Sequence, residues 1–239
     1  MRTLLTEFYN YGTTAIAFGG GEPFTVDWFK DLLNHLKQST KLEISVTTNG
    51  TLLTKEICQF LSENNIDIRL SLNKLSEVGQ REEGLQLLHE NHVTFGFNLI
   101  LNRDGLEVFK KEYERLITLY HPNDILLLEY QELGRGRGQS LSNHEIRGIL
   151  EEIRKHNWVR RINISSSLHN IFDDIKWARA QFPPNLTQST GFYAAIDSKR
   201  NLKHNSFCRC QIKLEEPLES ANISKLWQDL LSRPCLSVL

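Results

Sequence analysis

Short runs rich in β-branched and aromatic residues alternate along this chain with longer segments of helical periodicity. The runs lie at 14–18, 42–46, 66–72, 93–101, 124–130 and 161–165. The helical segments between them are long enough for crossovers, which predicts βα units with parallel strands and right-handed connections. The expected fold class is therefore α/β, a partial (β/α)6 barrel with roughly six parallel strands.

Capping signals place the helix ends between these strands. Gly12 is expected to end the first helix and Thr25 to cap the second. Another helix is predicted at about 80–90. Ser142 with Glu145 three residues later is a capping box and predicts a helix start.

The regular alternation stops after Ser167. The run Gln-Phe-Pro-Pro-Asn at 181–185 breaks any element, and 191–197 is typical of one more strand that enters a turn. We predict a partial barrel over residues 1–167 and a small irregular C-terminal extension over 168–239.

Composition narrows the function classes. The 239 residues include 28 Lys and Arg against 29 Asp and Glu, a net charge of −1. Near-neutral charge gives no basis for binding nucleic acid or an anionic membrane, and no apolar run approaches the roughly 20 residues that span a bilayer. The N-terminus lacks the pattern of a secretion signal, and four cysteines without a disulfide framework favour a reducing compartment. We expect a cytoplasmic protein with no nucleic-acid or membrane partner.

A glycine-rich loop follows the first apolar run, with the sequence Gly19, Gly20, Gly21, Glu22, Pro23. Glycine lets another molecule approach the backbone closely, and α/β sheets and barrels bind ligands at the carboxyl ends of their strands. The alternative is a tight strand-to-helix turn, one form of which binds phosphate at the next helix. The Glu22 carboxylate argues against phosphate because it repels an anion.

Further candidate residues lie at or near the ends of the other predicted strands. They are Thr48, Ser71 and Asn98, together with Gly134 in the glycine-rich run after 124–130. The carboxyl ends of parallel strands meet at one edge, so these residues are expected to gather beside the glycine loop. Contact with a ligand is one interpretation of these residues. For Thr48 and Ser71, a hydroxyl that bonds to the local backbone is an equal alternative. For Asn98, an internal polar network is an equal alternative.

Gly-Gly-Glu-Pro at 20–23 resembles the loop of the radical S-adenosylmethionine (radical SAM) superfamily that holds the amino group of the cofactor's methionine. The segments 45–50, 69–73, 97–102 and 129–138 are similar to its next four strands, in the same order. Asn73 departs from the family pattern, which has an aspartate there. The resemblance implies S-adenosylmethionine as cofactor, bound by Gly20, Gly21, Glu22, Thr48, Ser71, Asn98 and Gly134.

The same family carries a Cys-x3-Cys-x2-Cys motif one strand earlier, which binds a [4Fe-4S] cluster. This sequence does not contain that motif, and the resemblance therefore implies a barrel without its first strand. Reductive cleavage of S-adenosylmethionine needs an electron from the cluster. We expect that the chain does not support a [4Fe-4S] cluster, performs no radical chemistry and keeps only weak, residual affinity for the cofactor.

The cysteines divide into two groups. Cys58 lies in a helical pattern, where a small buried apolar residue is expected. Cys208, Cys210 and Cys235 are candidate metal ligands, because the tail resembles the cysteine-ligated extensions of peptide-modifying radical SAM enzymes. However, Cys-x-Cys is not the usual ligand spacing, and three thiolates are one fewer than a closed tetrahedral site requires.

Three functions remain open. The first is a degenerate radical SAM-like protein, a non-catalytic or peptide-binding component of a peptide or natural-product modification pathway. The second is an active radical SAM enzyme represented without its N-terminal cluster-binding strand; an in-frame cluster motif in the DNA upstream of Met1 would distinguish it from the first. The third is an unrelated α/β enzyme with a glycine-rich ligand loop, which a structure without a parallel partial barrel would favour.

Two kinds of partner are expected. One is a peptide or small-molecule substrate. The other is a cover for the open edge of strand 14–18, provided by a segment of this chain or by a protein partner, because exposed strand edges promote unwanted pairing.

Overall fold

A computed structural model describes residues 1–130, 138–155, 162–165, 168, 179–180, 194–204, 208, 210–214 and 220–233. Its helices are α1 (Arg2–Asn10), α2 (Phe29–Ser39), α3 (Lys55–Glu63), α4 (Leu75–Glu90), α5 (Arg103–Tyr120), α6 (Asn143–Lys155) and α7 (Ser220–Ser232). Its strands are β1 (Ala15–Phe18), β2 (Glu43–Thr48), β3 (Asp67–Ser71), β4 (Phe95–Leu101), β5 (Ile125–Glu129), β6 (Ile162–Ile164), β7 (Arg179–Ala180), β8 (Ala195–Ile196), β9 (Asn201–Lys203) and β10 (Gln211–Lys213).

The strands β1 to β7 form one sheet in sequence order. Every neighbouring pair from β2 to β7 is parallel. Helices separate successive strands from β1 to β6, which confirms the predicted α/β partial barrel. The short β7 extends the sheet beyond the predicted strands, in a region whose sequence shows no strand pattern.

The two faces of this sheet have different surroundings. On β4, the Phe97 ring lies 6.2 Å from the Tyr113 ring of α5, so Phe97 faces a helix. Side chains alternate along a strand, so Gly96 and Asn98 point to the opposite face, which we call the inner face. Strand register aligns Thr47 with Arg69, Arg69 with Gly96, and Ser71 with Asn98. The inner face therefore carries polar side chains from three adjacent strands.

Helices α3 and α4 are each followed by the same type of backbone turn, which leads the chain back to the sheet. After α3, Asn65 has a φ of 48°, and the Ile66 N–H donates to the Leu61 carbonyl. After α4, His92 has a φ of 54°, and the Val93 N–H donates to the Leu88 carbonyl. These are Schellman motifs, in which a left-handed residue satisfies the last helical carbonyls before β3 and β4 begin.

Two helix starts differ from the predictions. Helix α4 begins at Leu75 rather than near residue 80, because an ion pair between Glu77 and Arg81 (2.6 Å) supports a first turn that Gly79 weakens. Thr25 does not cap α2. It lies in a single 3₁₀ turn (Pro23–Thr25), and its hydroxyl donates to the Glu22 carbonyl instead.

The chain forms two compact units, of which Ile16–Lys30 and Glu43–Phe182 make the one with most of the sheet. The other comprises Met1–Ala15, Asp31–Leu42 and Pro183–Leu239. It contains the antiparallel strands β8 to β10 and a core formed by Leu4, Leu202, Ile212, Leu214, Ile223 and Leu230. The strand predicted within 191–197 is found as β8. The boundary near residue 168 stays a prediction. None of the described helices has the length and apolar character that crossing a membrane requires.

Cys58 is a fully buried residue of α3, as predicted, and burial raises the pKa of its thiol to about 11. The folded state therefore favours the neutral thiol, a contribution to stability that is complete below about pH 9 and is lost as the pH rises towards 11. We expect the difference in free energy of unfolding between the wild type and Cys58→Ala to narrow by roughly 1–2 kcal/mol between pH 8 and pH 10.5. Urea unfolding at the two pH values measures this, and an unchanged difference would contradict the assignment.

Candidate functional site

Glu22 is the centre of the hydrogen bonds that join the glycine loop to the end of β2. One carboxylate oxygen accepts from the Thr48 hydroxyl at 2.7 Å, and the other accepts from the Asn49 N–H, also at 2.7 Å. The Phe24 N–H lies 3.4 Å from the first oxygen. The carboxylate is thus fixed in place, and the oxygen bonded to Asn49 keeps a lone pair that a further donor can use.

The turn after β2 is rigid for two reasons. The Thr48 hydroxyl accepts from the Gly50 N–H at 3.0 Å, and Asn49 Oδ1 accepts from the Thr51 N–H at 2.8 Å. Gly50 has a φ of 80°, and a Cβ there would lie 2.5 Å from Leu70 Cδ1. Only glycine satisfies both the backbone conformation and the packing at this position.

The glycine loop borders open space. A Cβ at Gly20 or Gly21 would meet no atom of the described residues within 4 Å, and Gly20 has a φ of 113°. Neither glycine therefore serves packing against the described part of the chain. At Gly19 a Cβ would meet the Thr47 side chain of the inner face at 3.8 Å, so the loop begins directly beside that face.

Ser71, at the carboxyl end of β3, lies beside Asn98 in the middle of β4. Asn98 is only 8% exposed, and its Oδ1 is buried without a hydrogen-bond partner among the described residues. The Oδ1 of Asn73, two residues after Ser71, is in the same state within the described part of the chain. A buried acceptor without a donor is costly, so these atoms fit a ligand that brings N–H or O–H groups.

Three polar residues close the opposite end of the inner face, and we call them the polar floor. They are the ion pair of Arg69 and Asp124 together with Asn163. The Arg69 guanidinium donates to both oxygens of Asp124, and the Asn163 amide donates to the same carboxylate. The pair crosses β4 over Gly96, where a Cβ would lie 2.2 Å from Asp124 Oδ1. These residues line a cavity of about 300 Å³ at the amino ends of the strands. Within the polar floor, the positive charge of Arg69 and the negative charge of Asp124 compensate each other.

Four predicted site residues remain, Gly134 and the three tail cysteines. Gly134 and Cys235 lie outside the described residues. Cys208 is buried, and Cys210 is partly exposed. No group of three His, Cys, Asp or Glu side chains within the described ranges could hold a metal ion. The metal assignment of the three tail cysteines stays a prediction.

Sequence reasoning missed three residues that shape the site. Arg81 of α4 reaches the ends of β2 and β3, and Arg69 and Asp124 form the floor. The inward position of Arg69 follows from strand alternation, since it is two residues before Ser71. Asp124, the partner of Arg69, lies 55 residues away and Asn49, one partner of Arg81, lies 32 residues away, and no sequence spacing indicates these two contacts.

Sequence comparison identifies relatives of this segment. The sequence model of the Radical SAM superfamily matches residues 2–101. The radical SAM cyclopropyl synthase TigE of Paramaledivibacter caminithermalis is 28% identical over 129 residues, which is 48% of this chain and 27% of that protein. The GTP 3',8-cyclase of Clostridium perfringens is 28% identical over 169 residues, covering 64% of this chain and 51% of that protein. The chain thus spans about a quarter to a half of the length of these relatives.

Solved structures share the fold. The crystal structure of Streptococcus suis SuiB aligns with a TM-score of 0.70 and 16% identity over 98% of this chain and 59% of that one. Native anSMEcpe with bound AdoMet and the Kp18Cys peptide aligns with a TM-score of 0.54 and 19% identity over 72% of this chain and 54% of that one. The strand-end motifs, the partial barrel and the sequence match over residues 2–101 together show the similarity of this chain to the radical SAM superfamily.

Proposed function

We propose that the rim formed by the glycine loop, Thr48, Ser71 and Asn98 binds S-adenosylmethionine or a related nucleoside. The observation that carries the proposal is the anchored Glu22 carboxylate, held beside glycines that face open space. The free lone pair on its Oε2 suits an ammonium group, and the buried Asn98 Oδ1 suits a donor of the ligand. Gly20, Gly21 and Gly134, the last of which lies outside the described residues, complete the proposed set.

We propose that the chain is a non-catalytic or peptide-binding component of a modification pathway. When bound to an iron–sulfur cluster, S-adenosylmethionine supplies a radical through reductive cleavage. The described residues contain no group of three His, Cys, Asp or Glu side chains that could hold a metal ion, so they do not fit such a cluster, and no radical step is assigned to them. Their chemistry is restricted to binding and orienting the nucleoside. An active enzyme whose cluster is held by a preceding segment is the alternative.

A peptide is the proposed substrate or cargo. One solved structure of SuiB contains its precursor peptide SuiA, and it aligns with a TM-score of 0.57 over 68% of this chain. On the described inner face Arg69 is paired with Asp124, so no unpaired cation there could meet a triphosphate. This arrangement favours a neutral peptide segment over the nucleotide that the name of the GTP 3',8-cyclases indicates.

We also propose that a protein partner covers the edge of β1. Ala15 and Ala17 are exposed there, and Ile16 and Phe18 are partly exposed. A partner strand would pair the outer backbone groups of β1. Rapid amide exchange throughout 15–18 in the purified protein would show that the chain itself provides no cover.

Calorimetry with S-adenosylmethionine tests the central proposal. Without a chelating iron we expect a dissociation constant of roughly 0.1–1 mM, or about −4 to −5.5 kcal/mol. After anaerobic iron–sulfur reconstitution the protein should stay colourless and form no 5′-deoxyadenosine with dithionite. No heat up to several millimolar ligand would reject the binding site. Uptake of four iron atoms per chain together with 5′-deoxyadenosine release would reject the non-catalytic role and favour the active enzyme.

A further inference from the structure

Arg81 is a buried arginine that touches two strand ends at once. Its side chain projects from α4 and the residue is 8% exposed. Nη1 donates to the Asn49 carbonyl at 3.1 Å and to the Ser71 carbonyl at 2.5 Å. Nη2 donates to Glu77 Oε2 at 2.6 Å. One guanidinium therefore ties the turn after β2 to the end of β3.

The bond to Asn49 connects Arg81 to the proposed cofactor site. Asn49 uses its carbonyl to accept from Arg81 and its N–H to donate to Glu22 at 2.7 Å. Any movement of this residue that breaks the first bond also moves the donor of the second. Ser71, the second carbonyl partner, is aligned with Asn98 on the inner face. Arg81 thus contacts the backbone on both sides of the rim without reaching the inner face itself.

The packing of α4 fixes the position from which Arg81 acts. One turn further along the helix, a Cβ at Gly84 would lie 2.5 Å from the Gly50 carbonyl oxygen. The helix therefore approaches the turn after β2 as closely as glycine allows. Helix and turn are held together by close backbone contact at Gly84 and by two hydrogen bonds at Arg81.

We propose that Arg81 is a positioning residue that sets the geometry of Glu22 and Ser71 for the nucleoside, an inference that rests on the proposed function of the rim. A planar guanidinium with several fixed donors can serve two carbonyls and a carboxylate at once. The Glu77 partner compensates its charge, so the group supplies geometry rather than a net charge to the site. Lysine has a point-like head and cannot reproduce the arrangement.

The test compares Arg81→Met and Arg81→Lys with Arg115→Met, a control arginine on α5 that is 42% exposed and paired with Glu82 and Glu112. Amide exchange by NMR reports on the turn, and titration with S-adenosylhomocysteine reports on the rim. In Arg81→Met we expect amide exchange at Asn49 and Gly50 to accelerate at least tenfold more than it does along the rest of the chain. We expect the affinity for S-adenosylhomocysteine to fall at least tenfold. Arg81→Lys should lie between, and Arg115→Met should match the wild type.

Failure of this inference is distinguishable from failure of the proposed function. If the wild type binds no S-adenosylhomocysteine, the rim proposal fails, and the exchange at Asn49 and Gly50 still decides whether Arg81 holds the turn. If exchange accelerates uniformly along the chain, Arg81 is merely structural and the inference is overturned. Loosening of the turn with unchanged affinity overturns it as well, because the rim would then not depend on that geometry.

Discussion

Replacing Glu22 with alanine should abolish binding of S-adenosylmethionine as measured by calorimetry. The substitution removes the carboxylate proposed for the cofactor's ammonium group. It also leaves the Thr48 hydroxyl, which belongs to a residue only 2% exposed, and the Asn49 N–H without their 2.7 Å acceptors. Each lost acceptor costs about 1–3 kcal/mol, so the loop and the turn should separate. We expect affinity to fall by more than tenfold, beyond the detectable range.

Asp27→Ala is the matched control for this loss. Asp27 is an exposed carboxylate of the same connection between β1 and α2, five residues after Glu22. The Asp27→Ala substitution changes the net charge by the same amount as Glu22→Ala but leaves the hydrogen bonds of Glu22 intact. If both variants weaken binding to the same extent, the effect is one of general charge and the role of Glu22 is refuted. Unchanged affinity in Glu22→Ala would refute it directly.

Gly96→Ala should destabilise the partial barrel by about 2–4 kcal/mol, mainly through overpacking with a smaller loss from the partly exposed ion pair. Its new methyl group would lie 2.2 Å from Asp124 Oδ1, 2.5 Å from Arg69 Nη1 and 2.9 Å from the Asp124 backbone oxygen. The arginine head can move, but the backbone oxygen of Asp124 precedes β5 and cannot yield without disturbing the sheet. Thermal unfolding should show a lower midpoint by several degrees.

A second glycine-to-alanine change distinguishes crowding from the general effect of the substitution. Gly79 lies within α4, and a Cβ there would meet no atom of the residues that the structure describes within 4 Å. Gly79→Ala should leave stability equal or raise it by about 0.5–1 kcal/mol through helix propensity. Equal destabilisation by the two variants would contradict a role for Gly96 beneath the polar floor.

Sequence reasoning recovers those parts of the molecule that depend on neighbouring residues. Strand alternation, the Ser142 and Glu145 capping box and the end of α1 at Gly12 are local, and the structure contains each of them. The gathering of the glycine loop with Thr48 and Ser71 follows from parallel topology, since strand ends of one polarity meet at one edge. The roles of these residues in binding stay predictions.

Long-range side-chain partners explain what sequence reasoning missed. Glu22 is a predicted cofactor-binding residue, and its bonds to Thr48 and Asn49 are contacts that the sequence does not indicate. Helical periodicity predicts a start of α4 five residues too late, which leaves out Glu77, the ion-pair partner of Arg81. Thr25 carries the residue type of a helix cap, but Pro23 begins a 3₁₀ turn that uses its hydroxyl first.

The left-handed returns after α3 and α4 have a consequence for how this fold can change. Asn65 and His92 occupy a backbone region that costs a side-chain-bearing residue about 1–2 kcal/mol, whereas glycine adopts it without that strain. Both positions lie at the amino ends of β3 and β4, opposite the rim. Replacing either residue with glycine would relieve this strain and raise the free energy of unfolding. That gain could compensate for destabilising substitutions at the opposite edge. The residues of the binding rim can therefore change while the barrel stays folded.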